Sequence, residues 1–357
     1  MWRIIVKILH NTLISVIILI MIVILTNNTV INTLANSSLN NNRRVANIGV
    51  LLYSFNDLYM SQIKQSLEDI QKNNENIVNF TFFDSQNNQA IQNEIISSLP
   101  SRTFDLLVID LSDTKKEAVK DVIDRAKEKN IPLIIFNIDP SAISADVKKS
   151  YDKVFFLTTD SKQLGTLQGD ILVKQWNFNK DLIDKNKDNV MQYIVLQGYP
   201  NSTAALDRTK YAISAINNSE IKTEQIEIKN AYWDKQIAEI SMESLILKYA
   251  DKIEVVISNN DAMAIGAIEA LQKYGYNKND KSKYISVVGI DALPEAKDLV
   301  DKGIMTGTVT QNPASVAEAI YKIGVNLVNN VNPLENTNYK LEDKEFVNII
   351  SYEEYAK

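Results

Sequence analysis

The chain has 357 residues, with 38 Lys and Arg against 44 Asp and Glu for a formal net charge of -6, a single histidine and no cysteine. An acidic balance makes nucleic acid a poor partner, and the missing thiols exclude disulfides, thiolate metal sites and a cysteine nucleophile. His10 sits beside the N-terminal apolar segment, so the body of the chain has no imidazole for a Ser-His-Asp mechanism or a histidine-rich zinc site.

Arg3 and Lys7 precede Leu13, Ile14 and an unbroken apolar run from Val16 to Leu25, the charged-then-apolar order of an export signal. Ala35, with Thr33 two positions before it, offers a peptidase a cleavage site. A helix from Ile4 to Leu25 would instead just span a hydrocarbon core of about 30 Å and keep Arg3 and Lys7 inside. Residues 1–35 are therefore either a signal peptide or an uncleaved membrane anchor, and 36–46, with Asn36 to Arg44 strongly polar, form a linker. Both place the rest outside the bacterial cytoplasmic membrane, on its outer face or in the periplasm.

From Asn47 the chain alternates strand-length apolar runs with amphipathic helices, the pattern of βαβ units around parallel sheets. Strands are expected at Ile48 to Tyr53, Val78 to Phe83, Leu106 to Ile109 and Leu133 to Phe136, with helices at Met60 to Lys72, Gln89 to Leu99 and Lys115 to Lys129 between them. A second series of strands follows at Met191 to Gln197, Thr223 to Ile228, Val255 to Ser258, Ile285 to Ile290 and Thr306 to Thr310. The fold class is α/β with two similar lobes, each a parallel sheet flanked by helices, after an N-terminal hydrophobic helix. The N-terminal lobe is expected to take 47–156 and 312–345, and the C-terminal lobe 157–311 and 346–357. Crossings then fall near Leu157 to Asp160, Thr310 to Asn312 and Phe346 to Asn348.

Open sheets of this kind bind ligands beyond the carboxyl ends of their strands. Ser54 to Tyr59, Asn137, Asn259 to Asp261, Asp291 and Gln311 occupy those ends. Carboxylates and amides pair with vicinal hydroxyls while aromatic faces cover the C–H side of a sugar ring. Each such residue alone is more readily a helix cap or turn former; their number points to a site.

The runs IGVLLYSFNDLYMSQIKQSLED, IPLIIFNIDPS, KIEVVISNNDAMAIGAIEAL and VVGIDALPEA closely resemble the periplasmic galactose/glucose-binding proteins of bacterial sugar ABC transporters, with the periplasmic binding protein type 1 fold. The similarity runs from about Ile48 to near the C-terminus. It implies a pyranose held between Tyr59 and Trp233, the latter in AYWD, and hydrogen-bonded by Asp57, Asn137, Arg208, Asn260, Asp291 and Gln311. Ser202 and Ala204 stand where that family has histidine and aspartate, Gln311 replaces an asparagine and Tyr59 a phenylalanine. Each missing partner would cost about 1 to 3 kcal/mol with the family ligand, so the identity of the sugar stays open.

In DKNKDNVMQ, Asp184, Asn186, Asp188, the carbonyl of Val190 and Gln192 occupy the first, third, fifth, seventh and ninth places of a calcium loop. A solvated Lys/Asn/Asp loop gives the same pattern. The resemblance adds Glu254 as a distant ligand and makes the calcium structural. Asn189 takes the place of the usual glycine, which asparagine tolerates best among larger residues.

Hinge closure of largely monomeric lobes on a monosaccharide, for delivery to an ABC permease, is the expected function; the alternative is a membrane-anchored co-receptor reporting sugar to a transmembrane histidine kinase. Enzymatic activity is not expected. Asp57 and Asp291 resemble a glycosidase pair in number only, since both are accounted for as hydroxyl acceptors. A sugar-responsive repressor would need a basic headpiece where this chain has an apolar segment.

Overall fold

Apolar runs buried on both faces form the central strands of the two sheets. The computed structural model describes residues 44–100, 102–140, 143–278, 280–342, 346–348 and 351–357. The expected signal or anchor, 1–35, and most of the linker lie outside the described residues. Among the described residues no helix is long and apolar enough to cross a membrane. Ala46–Lys357 forms a compact unit of its own.

In the first lobe β1 (Ala46–Leu52), α1 (Leu58–Asn73), β2 (Val78–Asp84), α2 (Gln89–Ser98), β3 (Leu106–Asp110), α3 (Lys116–Glu128), β4 (Leu133–Ile138), a short α4 (Ala145–Lys148) and β5 (Val154–Thr158) follow one another. The five residues of β3 are all buried, as a parallel strand covered on both faces requires. In α3 the side chains of Val119, Val122, Ile123 and Ala126 recur at helical spacing and are buried. Each Val or Ile so placed contributes roughly 1.5–3 kcal/mol.

The second lobe contains α5 (Ser161–Ile183), β6 (Val190–Gln197), α6 (Thr203–Asn218), β7 (Lys222–Asn230), α7 (Lys235–Tyr249), β8 (Val255–Ser258), α8 (Asp261–Lys273), β9 (Ser286–Asp291), α9 (Pro294–Asp301) and β10 (Gly307–Thr310). The chain then returns with α10 (Pro313–Val328), β11 (Leu341–Glu342) and β12 (Phe346–Asn348), and ends in β13 (Glu354–Ala356). Strand order is β11-β12-β5-β4-β3-β1-β2 in one sheet and β13-β10-β9-β8-β6-β7 in the other. Pairing is parallel except for β11 with β12 and β10 with β13.

Two expected boundaries move. Leu157 belongs to β5, a strand absent from the sequence reading, so the first crossing begins after Thr158. The third crossing lies beyond Asn348, because β12 pairs in parallel with β5, Val347 opposite Leu157, inside the first sheet. A three-residue strand has too little periodicity to reveal its partner, and long-range pairing alone assigns it.

Helices α5 and α6 cross at backbone contact. A Cβ on Gly165 would stand 2.4 Å from the carbonyl oxygen of Arg208, and one on Gly169 2.4 Å from that of Ala212. Only glycine at these two positions lets α6 lie this close, which sets where Arg208 projects.

Candidate functional site

All eight residues expected around a ligand line one cavity of about 510 Å³ between the lobes: Asp57, Tyr59 and Asn137 from the first, Arg208, Trp233, Asn260 and Asp291 from the second, and Gln311 at a crossing. The helix-cap reading also holds for Asp57 and Asn260. Asp57 Oδ1 accepts from the Met60 amide at 2.8 Å and caps α1, while its Oδ2 accepts from the Tyr53 hydroxyl at 2.5 Å. Asn260 Oδ1 accepts from the Met263 amide at 3.0 Å to cap α8, and its amide nitrogen donates to the Trp233 carbonyl at 3.3 Å. One side chain thus anchors a helix and faces the cavity, so the wall is as rigid as the helix ends behind it.

Arg208 is fixed by its surroundings. Nη1 donates to the Asn259 carbonyl at 2.8 Å and Nη2 to Gln311 Oε1 at 3.3 Å, while the guanidinium carbon lies 5.5 Å from the centre of the Trp233 ring. Its Nε is buried without a hydrogen-bond partner. Asn259 in turn accepts from the Gly198 amide at 3.2 Å and donates to the Thr209 hydroxyl at 2.9 Å, tying β6, α6 and β8 together beneath the site. The indole of Trp233 packs on Gly198, where a Cβ would fall 2.2 Å from ring atoms.

Backbone strain gathers here. Asn137, Tyr232, Trp233 and Asp291 have φ of 55°, 55°, 66° and 119°. Such angles cost non-glycine residues about 1–3 kcal/mol each and persist where the surroundings over-determine them, as at binding sites.

Burial pushes the Asp57 carboxyl up, against the Tyr53 hydroxyl, two main-chain amides and Arg208, which all pull it down. Asp291 is raised well above the usual carboxylate range, first by burial, with Asp261 and Asp57 adding and Arg208 opposing.

The sequence reading missed Asp110, Tyr53, Tyr199 and Tyr232, all of which line the cavity. Asp110 had a signal, since it ends β3 and the strand-end rule singles it out as it does Asn137. Tyr199 and Tyr232 pair across two loops, ring centres 5.2 Å apart, and the Tyr199 hydroxyl accepts a hydrogen bond from Asn87 of the first lobe across the cavity mouth. Ser202 and Ala204 also line the cavity, and Ser202 Oγ caps α6 by accepting from the Ala205 amide at 3.4 Å.

Away from the cavity, the loop from Asp184 to Gln192 folds around its own oxygens. Asp184 takes the amides of Asp188 and Asn189 at 3.1 and 3.2 Å, and Glu254 takes those of Lys185 and Gln192 at 2.8 and 3.1 Å. Asn189 has φ 62°, the left-handed conformation expected where a calcium loop carries glycine. Asp184 and Glu254 are 4% and 2% exposed, and burial raises Glu254 with the charges of Asp184 and Asp188 adding. Among the described residues no three acidic side chains stand together at metal-binding separation. The all-oxygen donor set and the mutual repulsion of its carboxylates suit a hard divalent cation, which would draw Asp184, Asp188 and Glu254 inward together with the Val190 carbonyl and the amide oxygens of Asn186 and Gln192.

Residues 48–331 match the periplasmic binding protein domain family. The chain is 37% identical over 298 residues to the D-galactose/methyl-galactoside binding periplasmic protein of Haemophilus influenzae, covering 83% of this chain and 86% of that one. It is 27% identical over 238 residues to the ribose import binding protein of Escherichia coli, covering 67% and 70%. An ABC transporter solute binding protein from Bacillus halodurans with bound myo-inositol shares the fold at a TM-score of 0.69 and 24% identity, over 88% of this chain and 96% of that one. The chain belongs to the periplasmic binding protein family, whose members bind solutes and are not enzymes.

Proposed function

We propose that this protein binds a monosaccharide of the galactose or glucose kind in the interlobe cavity, outside the cytoplasmic membrane, and presents it to an ABC permease. One observation carries the reading: eight side chains drawn from both lobes and a crossing, of the types that recognise a sugar, line a single cavity. Trp233 and Tyr59 supply aromatic surface, Asp57 and Asp291 accept from hydroxyls, Arg208 donates, and Asn137, Asn260 and Gln311 do both. A ligand bridging the lobes favours their closed arrangement by its differential affinity for it. The 37% identity to a galactose-binding relative supports a hexose, while Ser202 and Ala204 argue for a pocket altered on one side. Calcium held by Asp184, Asn186, Asp188, Val190, Gln192 and Glu254 would brace the second lobe and takes no part in recognition.

Calorimetric titration of the full chain with D-galactose, D-glucose and pentoses tests the reading. A saturable heat with at least one hexose, reduced 100-fold or more in affinity by Asp291→Asn, is expected. No heat with any sugar of the panel sinks it.

A membrane-anchored co-receptor signalling to a histidine kinase is the second reading, favoured by the length of the segment from Ile4 to Leu25, which as an uncleaved helix would span about 30 Å of hydrocarbon. Fractionation of cells producing the chain tests the anchor that this reading needs: retention of the intact N-terminus in the membrane fraction supports it, and complete release of a shortened chain overturns it.

A further inference from the structure

The cavity is unevenly charged. Arg208 lies in the second lobe against Trp233 and Gln311, and its charge lowers the carboxyls of Asp57 and Asp291. Asp110, at the end of β3 in the first lobe, is different. It is 2% exposed, its Oδ1 accepts from Asn137 Nδ2 at 3.2 Å, and its Oδ2 is buried with no hydrogen-bond partner. No cation of the described chain pairs with it, and the negative charge of Asp57 acts on it from within the same wall.

A buried carboxylate oxygen without a donor costs about 1–3 kcal/mol or more, and such a group persists where a partner arrives from outside the fold. Asn137 and Tyr53 hold the two walls of this corner: Asn137 is committed to Asp110, and the Tyr53 hydroxyl to Asp57. With Asp110 ionised, the corner therefore presents acceptors and few donors. A neutral hydroxyl satisfies one acceptor with its single O–H. A protonated amine brings three donors and a positive charge to the place where Asp110, which has no cation of its own, meets Asp57.

We propose that the first-lobe corner formed by Asp110, Asp57 and Asn137 recognises a protonated amino group, so that the ligand is an amino sugar or amino cyclitol rather than a neutral hexose. This rests on the sugar-binding reading above and narrows it. The remainder of the ring would lie against Trp233, with its hydroxyls on Arg208, Asn260 and Asp291. Burial pushes the Asp110 carboxyl up to about 8, with Asp57 adding and the Asn137 hydrogen bond and Tyr53 backbone opposing. Without a cation Asp110 is thus held largely protonated at pH 7, and an ammonium group would draw it into the ionised form, since an opposite charge at 4–6 Å favours ionisation.

The test titrates the full chain at pH 7 with hexoses and cyclitols, each beside the analogues in which one hydroxyl is replaced by an amine, D-galactose against D-galactosamine among them. At least one amine is expected to bind 10-fold or more tightly than its parent, and this ratio is expected to fall to about one in Asp110→Asn. Amines that bind no tighter than their parents in the unaltered protein overturn the proposal without need of the variant, as does a ratio that survives in Asp110→Asn. Binding of parent hexoses with no amine preferred refutes this inference alone, whereas silence from every sugar and amine refutes the sugar-binding reading itself.

Discussion

Gly165 lies so close to Arg208 that a Cβ on it would stand 2.4 Å from the Arg208 carbonyl oxygen. The residue that supplies the cavity with its guanidinium is therefore positioned by a glycine on a different helix. Gly165→Ala is expected to push α6 outward, costing about 1–3 kcal/mol of stability by overpacking. Sugar affinity should fall with it while circular dichroism keeps its native shape; an unchanged titration would show that Arg208 is placed by its hydrogen bonds to Asn259 and Gln311 alone.

Trp233 rests on Gly198 in the same manner, with ring atoms 2.2 Å from the place of a Cβ. Gly198→Ala must tilt the indole. If the indole face covers the ligand ring, affinity drops 10-fold or more and the tryptophan fluorescence change on binding shrinks; full affinity would assign Trp233 to packing.

Stability should depend on pH through carboxyls held protonated by the fold. Burial raises Asp110 to about 8 and Asp261 to about 7, against an unfolded value near 3.9. Both groups bind protons more tightly when folded, so their contribution is complete below about pH 4 and is lost as pH rises toward 7 and 8, at up to about 1.4 kcal/mol per pH unit for each proton retained. The melting temperature of the ligand-free protein is expected to fall from pH 5 to pH 8, and less steeply in Asp110→Asn. A melting temperature that climbs over this interval contradicts the assignment.

Calcium, if held by the Asp184 loop, should raise the melting temperature, by the equivalent of about 2.7 kcal/mol at 100 times its dissociation constant. Chelator reverses the rise. Glu254→Gln removes one carboxylate and is expected to abolish the calcium-dependent part of the shift; equal melting curves with calcium and with chelator in the unaltered protein would leave the loop a self-capped turn.

Much of this was legible in the chain. The strand-end rule located Asp57, Asn137, Asn260, Asp291 and Gln311 because polar residues following buried apolar runs have few other reasons to cluster. Strand β5 and its partner β12 escaped notice, since VFFLT is only partly buried and three residues of β12 carry no period. Asp110 escaped because a single aspartate after a strand reads as a turn former, and only the meeting of β3, β4 and β1 shows that it is buried with an oxygen to spare.

Sequence alone determined the alternation of strands and helices, the two-lobed class and the kinds of side chain at the strand ends, because local periodicity and residue chemistry act within a few positions along the chain. Tertiary structure decided which of those side chains share a cavity, how closely α5 and α6 cross, and which carboxylates are left without a cation. Those outcomes depend on contacts between residues far apart in the chain, where burial and the balance of nearby charges, absent from any local pattern, set the energy.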